Sequence, residues 1–318
     1  MRSLSQALSV LALAAVLTAS PAQAAESPRV VASIAPLGSL AAAVMRGVAE
    51  PTVLLPAGAS PHAYALRPSE ARALASADLV LWIGEALETF LEEPLAALAR
   101  PGAVVELIDT EGLILHPTRT GGIWESDHGH AREAPQGSAH AHDHGSTDAH
   151  LWLDPRNAAI LVDRIASALA ERDPDRAAAY RNNADAAKAE LNALDTELAA
   201  ALSAIGDRPY VVFHDAYQYL EQRYDLFPIG AVTVGPERGP GAQRLSRLRD
   251  EIAGRGATCA FREPQFTPKV LESLASDTQI RIGVLDPLGT DTKPGPDGYP
   301  RLMRALAASL TGCLAAGD

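Results

Sequence analysis

From Pro174 to Ala204 the chain meets no glycine and no further proline, and a helix of that length spans about 46 Å at 1.5 Å per residue. Asp173-Pro174 reads as its start, a capping side chain followed by proline in the first helical position. Leu191, Leu194, Leu198, Leu202 and Ile205 recur at three- and four-residue spacing, so one face is apolar. On both sides of this helix the sequence alternates short β-type runs with amphipathic stretches. Before it come Val30–Ile34, Thr52–Leu55, Leu79–Ile83 and Val104–Ile108, with helical patterns at Leu37–Arg46, Pro68–Ala75 and Glu85–Leu98. After it come Tyr210–His214, Pro228–Val234, Thr258–Arg262 and Arg281–Leu285, with helical patterns at Gln243–Gly254, Pro268–Ser276 and Tyr299–Leu314. Strand–helix alternation is the mark of parallel α/β architecture. The expected fold is therefore two α/β lobes, each with a roughly four-stranded parallel sheet flanked by helices, joined by one long rigid helix whose apolar face lies across both. The expected divisions are an N-terminal lobe over 25–157, a helical segment over 158–206 containing the long helix 174–204, and a C-terminal lobe over 207–318.

The first 24 residues read as a secretory signal peptide. Arg2 is the only charge before Glu26, Ala7 to Ala19 is apolar, and Ala22-Gln23-Ala24 supplies a small-x-small cleavage site. Removing 24 of 318 residues leaves 294, enough for one large or two smaller domains. The formal charge of −12 becomes −13 as Arg2 leaves, and such a surface repels phosphate backbones, which argues against nucleic acid as a partner. No later stretch approaches the ~20 apolar residues of a membrane span. No cysteine stands at the cleavage site to carry a lipid anchor, so an exported, soluble protein of the periplasm is expected. The two cysteines, Cys259 and Cys313, read as one structural disulfide in that compartment, the alternative being two free buried thiols.

Histidine distribution points to metal. Seven of nine histidines fall between His116 and His150, and His128, His130, His140, His142 and His144 lie in a segment, 121–147, without periodicity and rich in Gly, Ser and Pro. Glu125, Asp127, Glu133 and Asp143 are interleaved with them. Imidazoles and carboxylates clustered in a flexible insert bind borderline metals, chiefly zinc, with adaptable geometry; the bland alternative is a solvated low-complexity loop. His62, His150 and His214 stand apart from the insert, each where an element ends. Ligands in open α/β sheets sit at the carboxyl ends of strands, so two histidines from the first series and one from the second span a cleft. Each alone is also compatible with a structural histidine.

Six blocks then carry a family resemblance: Val30-Val31-Ala32-Ser33-Ile34-Ala35-Pro36-Leu37, Leu54-Leu55-Pro56-Ala57-Gly58-Ala59-Ser60-Pro61-His62, His150-Leu151-Trp152-Leu153-Asp154-Pro155, Phe213-His214-Asp215-Ala216-Tyr217, Phe261-Arg262-Glu263-Pro264-Gln265-Phe266 and Leu285-Asp286-Pro287-Leu288-Gly289. In this order they resemble the zinc-binding periplasmic proteins of high-affinity zinc ABC importers, the ZnuA-like group of solute-binding proteins. The resemblance implies His62, His150 and His214 as zinc ligands, Asp286 as a fourth ligand in some relatives, and a disulfide between Cys259 and Cys313. Some members use a glutamate directly before the first histidine; here Pro61 stands there, leaving Asp286, a water or an insert histidine for the fourth position. Glu263 and Asp215 look like groups that orient the imidazoles, or else plain surface or capping carboxylates.

Relatives that carry manganese tend to place a carboxylate where this chain has His214, and imidazoles suit zinc better than manganese. The expected function is capture of Zn(II) between the lobes and delivery, without bond-making chemistry, to the membrane subunit of an ABC permease. No G-x-x-x-x-G-K-[ST] loop is present, so the ATPase is expected on a separate chain. A monomer is the simplest such shuttle. Two other readings compete. A secreted mononuclear zinc hydrolase would use the same three histidines with Glu263 as general base, although the chain has no H-E-x-x-H and no Gly-x-Ser-x-Gly. A periplasmic zinc buffer would use the insert alone.

Overall fold

The computed structural model describes residues 26–120, 122–124, 147–235 and 239–315. The signal segment and the insert histidines His128, His130, His140, His142 and His144 lie outside the described residues. The chain first lays down β1 (Val30–Ala32), α1 (Ala35–Val44), β2 (Thr52–Val53), α2 (Pro68–Ser76), β3 (Leu79–Trp82), α3 (Glu92–Leu98) and β4 (Val104–Glu106). A helical pair follows, α4 (Pro155–Arg172) and α5 (Ala177–Leu202). The second series is β5 (Tyr210–His214), α6 (Gln218–Arg223), β6 (Pro228–Thr233), α7 (Ala242–Arg255), β7 (Cys259–Arg262), α8 (Lys269–Thr278), β8 (Arg281–Val284) and α9 (Gly298–Leu314). The two sheets have the orders β2-β1-β3-β4 and β6-β5-β7-β8, with every pairing parallel. The second sheet thus repeats the strand order of the first. In each, the connection reverses direction between the two central strands, where loops splay apart and leave a crevice.

Strand alternation decides what each sheet face meets. Val30 and Ala32 of β1, and Tyr210 and Val212 of β5, join one large core that also takes in α1, α4, α5 and α9. Val31 faces the opposite way, into a smaller cluster under α2 and α3, and Val211 and Phe213 enter another under α7 and α8. One core therefore runs through both lobes. The helix α5 is its spine: Tyr180, Ala184, Ala187, Leu191, Leu194, Leu198 and Leu202 are all buried along one stripe. It packs against α1 of the first lobe and α9 of the second. Asn183 donates to the carbonyls of Val44 and Arg46 at one end, and Arg304 pairs with Glu197 at the other. At the α1–β2 contact a Cβ on Gly38 would stand 2.4 Å from Val53, so only glycine permits that approach.

Two elements differ from the sequence pattern. The long helix begins with a 3₁₀ turn over Pro174–Arg176, and regular α-helix starts at Ala177, giving about 39 Å of α-helix. The stretch from Glu85 is a turn, a 3₁₀ turn at Thr89–Leu91 and only then α3. Its cause is Glu88, whose carboxylate folds back to accept from the backbone N–H groups of Ile83 and Gly84, each at 3.1 Å, and from the Ser33 hydroxyl. A side chain bonded to its own upstream backbone competes with helix initiation.

Burial raises the Glu88 pKa to about 7, against the hydrogen bonds from Ser33, Gly84 and Ile83. A carboxyl raised in this way stabilises the fold while protonated, so the contribution is complete below its unfolded value near 4.5 and is lost as pH rises through about 7. The Glu88 share of this loss is about 3 kcal/mol, and Glu88→Gln is expected to flatten the slope by that share relative to the unsubstituted metal-free protein, as read by denaturant unfolding at several pH values.

Cys259, at the start of β7, is bonded to Cys313 in α9 with Cα atoms 6.2 Å apart, which removes the free-thiol alternative. A link across 54 residues restricts the unfolded chain by about 4 kcal/mol on the chain-entropy account. Among the described residues no helix is long and apolar enough to cross a membrane.

Candidate metal centre

His214 is the last residue of β5 and shares the parity of Tyr210 and Val212, so its ring leaves the sheet on the side that faces the other lobe. It stands at the crevice between β5 and β7, and Glu263 follows directly after β7. Glu263 Oε1 accepts from the His214 backbone N–H at 3.2 Å and lies 2.7 Å from ring Nδ1. His150 precedes a 3₁₀ turn, Leu151–Leu153, that leads into α4, whose first turn is capped by the buried Asp154. One oxygen of Asp148 accepts from the His150 backbone N–H at 3.0 Å and lies 2.8 Å from its Nδ1. Two histidines from different lobes are thus held alike: one carboxylate oxygen grips backbone and ring together. An Nδ1–H donated to a carboxylate leaves the lone pair on Nε2.

Those lone pairs converge. Nε2 of His214 and Nε2 of His150 are 3.4 Å apart, and donor nitrogens of His62, His150 and His214 all lie within 4.8 Å of one another. Two nitrogens bound tetrahedrally at 2.0–2.1 Å from one zinc ion stand about 3.4 Å apart. His62 comes from the loop after β2, with ring centroids 5.4 Å from His150 and 5.7 Å from His214, and its buried Nε2 has no hydrogen-bond partner among the described residues. A cavity of about 10 Å³, near the size of one water-sized sphere, is lined by the three rings with Trp152, Phe266 and Leu288 as apolar walls. Burial lowers the His62 pKa well below the ordinary imidazole value, and protonation of His150 or His214 would lower it further. At His214 burial opposes the charged ring, but the charge and hydrogen bond of Glu263 outweigh it and raise the pKa.

The other carboxylates named from the sequence lie elsewhere. Asp286 accepts from Gln265 Nε2 at 2.7 Å, from the Leu288 N–H at 3.1 Å and from the Thr290 N–H, and does not join the histidine group. Recruiting it as a ligand requires breaking those bonds. Asp215 faces Arg119, which also pairs with Glu221 at 2.8 Å, so this cluster ties the segment before the insert to the second lobe. Asp148 went unread in the sequence, although its Asp-x-His spacing to His150 was the available signal. Asp148→Ala and Glu263→Ala are each expected to weaken zinc binding by about 10–100-fold, measured by chelator competition, because each leaves a ring free to turn.

Side-chain hydrogen bonds close the lobes around this centre. Trp152 Nε1 donates to the Pro287 carbonyl at 2.9 Å, Tyr299 to the Trp152 carbonyl at 2.7 Å, and Tyr219 to the Asp148 carbonyl at 2.7 Å. Two parallel α/β lobes on one helical spine, with three convergent imidazoles between them, define a metal-binding protein of the solute-capturing class. Residues 30–313 match the family described as ZnuA, zinc-uptake complex component A, periplasmic, and the chain belongs to that family. It is 44% identical over 310 residues to the high-affinity zinc uptake system protein ZnuA of Brucella abortus, covering 92% of this chain and 93% of that one. The protein of the same name from Yersinia pestis is 38% identical over 306 residues, covering 94% and 95%. A crystal structure of ZnuA superposes with a TM-score of 0.74 at 25% identity, over 91% of this chain and 99% of that one. The periplasmic zinc-binding protein TroA of Treponema pallidum shares the fold, with a TM-score of 0.74 at 20% identity, over 91% and 99%.

Proposed function

We propose that this chain captures Zn(II) with His62, His150 and His214 and hands it to the membrane permease of an ABC importer whose ATPase is a separate chain. The curated relatives are named for high-affinity zinc uptake, and the family description places its members in the periplasm. The observation that carries the ligand assignment is the 3.4 Å approach of two Nε2 atoms whose Nδ1 atoms both face carboxylates. On this reading the chain works as a monomer, freed of its leader near Ala24, with lobes over 25–157 and 207–318 and the segment 158–206 between them. The fourth position falls to Asp286, a water or an insert histidine, and the insert histidines His128, His130, His140, His142 and His144 otherwise make accessory contacts. The hydrolase alternative is less well supported, because Glu263 Oε1 holds the His214 ring and backbone, and the relatives are named for zinc uptake.

The test is a competitive zinc titration of mature protein lacking residues 128–144. One tight equivalent is expected to survive. Its absence would leave the insert-based buffer as the better account.

A further inference from the structure

Two cavities meet at the histidines. The first is the 10 Å³ space between the three rings. The second, of about 170 Å³, is lined by His62 and His150 together with Thr118, Arg119, Asp148 and Asp215. His62 and His150 are therefore a shared wall. Thr118 is exposed, so the larger cavity reaches the surface. A third space, a groove of about 370 Å³ lined by Ala57, Gly58, Leu288, Thr290 and Lys293, also runs between the lobes, but none of the three histidines lines it.

The sizes and linings differ in a way that matters for a hydrated cation. At about 10–15 Å³ of such space per water, 170 Å³ holds several waters around an ion, whereas 10 Å³ holds about one water or the ion in its place. The larger cavity offers two carboxylates, Asp148 and Asp215, against the single guanidinium of Arg119, which Glu221 also neutralises from behind. Its field favours a cation. In the groove Asp291 and Lys293 offset one another. A divalent ion that loses its water in the narrow space must gain ligands as it does so, and of the 170 Å³ cavity and the groove it is the cavity that places imidazoles at that boundary.

We propose that zinc reaches its site through the cavity bounded by Thr118, Arg119, Asp148 and Asp215, exchanging water for His62 and His150 where the two cavities meet. The route rests on the assignment of the three histidines as the zinc site. Arg119 is a positioning residue here: paired with Asp215 and Glu221, it holds the vestibule wall to the second lobe.

An obstruction in a passage slows arrival and departure by the same factor and leaves the equilibrium unchanged. The experiment is stopped-flow binding of zinc alone to the full mature chain, read by a competing fluorescent chelator, with the phase abolished in His150→Ala taken as the cleft site. Thr118→Trp, at an exposed position, is expected to slow association and dissociation each about tenfold with Kd unchanged. Ala57→Trp, in the groove, is expected to change neither rate. Unchanged rates in Thr118→Trp overturn the route, and so does equal slowing in Ala57→Trp. Should Thr118→Trp misfold or shift Kd, Thr118→Cys read before and after attachment of a bulky maleimide replaces it. Slowing on attachment supports the route, and no slowing overturns it. If His150→Ala removes no phase, the histidine site itself falls, and the route with it.

Discussion

His214→Ala is expected to weaken zinc binding on the order of a thousandfold, about 4 kcal/mol, while leaving the fold intact. The ring sits at the end of a central strand, and its loss takes away one of three convergent donors without touching the apolar wall formed by Trp152 and Phe266. Chelator competition reads the effect, and an unchanged affinity would remove the cleft from the account. The same residue sets the pH response. Ligation requires neutral imidazoles, and the charge of Glu263 keeps His214 protonated to a higher pH than an ordinary imidazole, although burial opposes this. Affinity is therefore expected to fall with falling pH, beginning above the ordinary imidazole range because of His214, by up to about tenfold per pH unit for each proton displaced. His62, whose pKa is lowered, enters this competition last. His214→Ala should flatten the upper part of the curve.

Trp152→Ala is expected to give the largest loss of stability, about 3–5 kcal/mol in denaturant unfolding. The indole is fully buried and its N–H holds the Pro287 carbonyl, so the change opens a cavity and removes one of the hydrogen bonds between the lobes, while the Tyr299 bond to the main-chain carbonyl stays. Trp152→Phe should retain most of the packing and lose about 1–3 kcal/mol through the unpartnered Pro287 carbonyl. A loss in Trp152→Ala no greater than in Trp152→Phe would show that packing there contributes little. Saturating zinc should restore part of the deficit, because a ligand that binds only the folded state stabilises it by mass action.

The architecture was legible because its signals are local. β5 coincides with the apolar run Tyr210–His214, and the buried leucines of α5 are those spaced three and four apart in the sequence. Where side chains act on backbone at a distance, legibility failed: Glu88 shortened a helix that periodicity extends, by bonding to Ile83, Gly84 and Ser33. The candidate ligands were visible as histidines at element ends, and their convergence needed the fold. The carboxylates were harder. Glu263 and Asp215 both lie within site blocks, but only the parity and loop geometry after β7 and β5 decide that Glu263 meets the ring and Asp215 meets Arg119. Asp148 lies two residues before His150 in a stretch dominated by the insert's own histidines, where a lone acid attracts no notice.

The single core shared by α1, α5 and α9 has a consequence for unloading. A carrier built from two independent halves would open by thermal motion and leak its cargo between captures. Here, pulling the lobes apart would expose leucines along the spine and break the Trp152 and Tyr299 links, so the fold itself opposes opening and lobe separation cannot be the routine way out for the cargo. On the proposed function, the work of release then falls to the receiving permease rather than to the carrier.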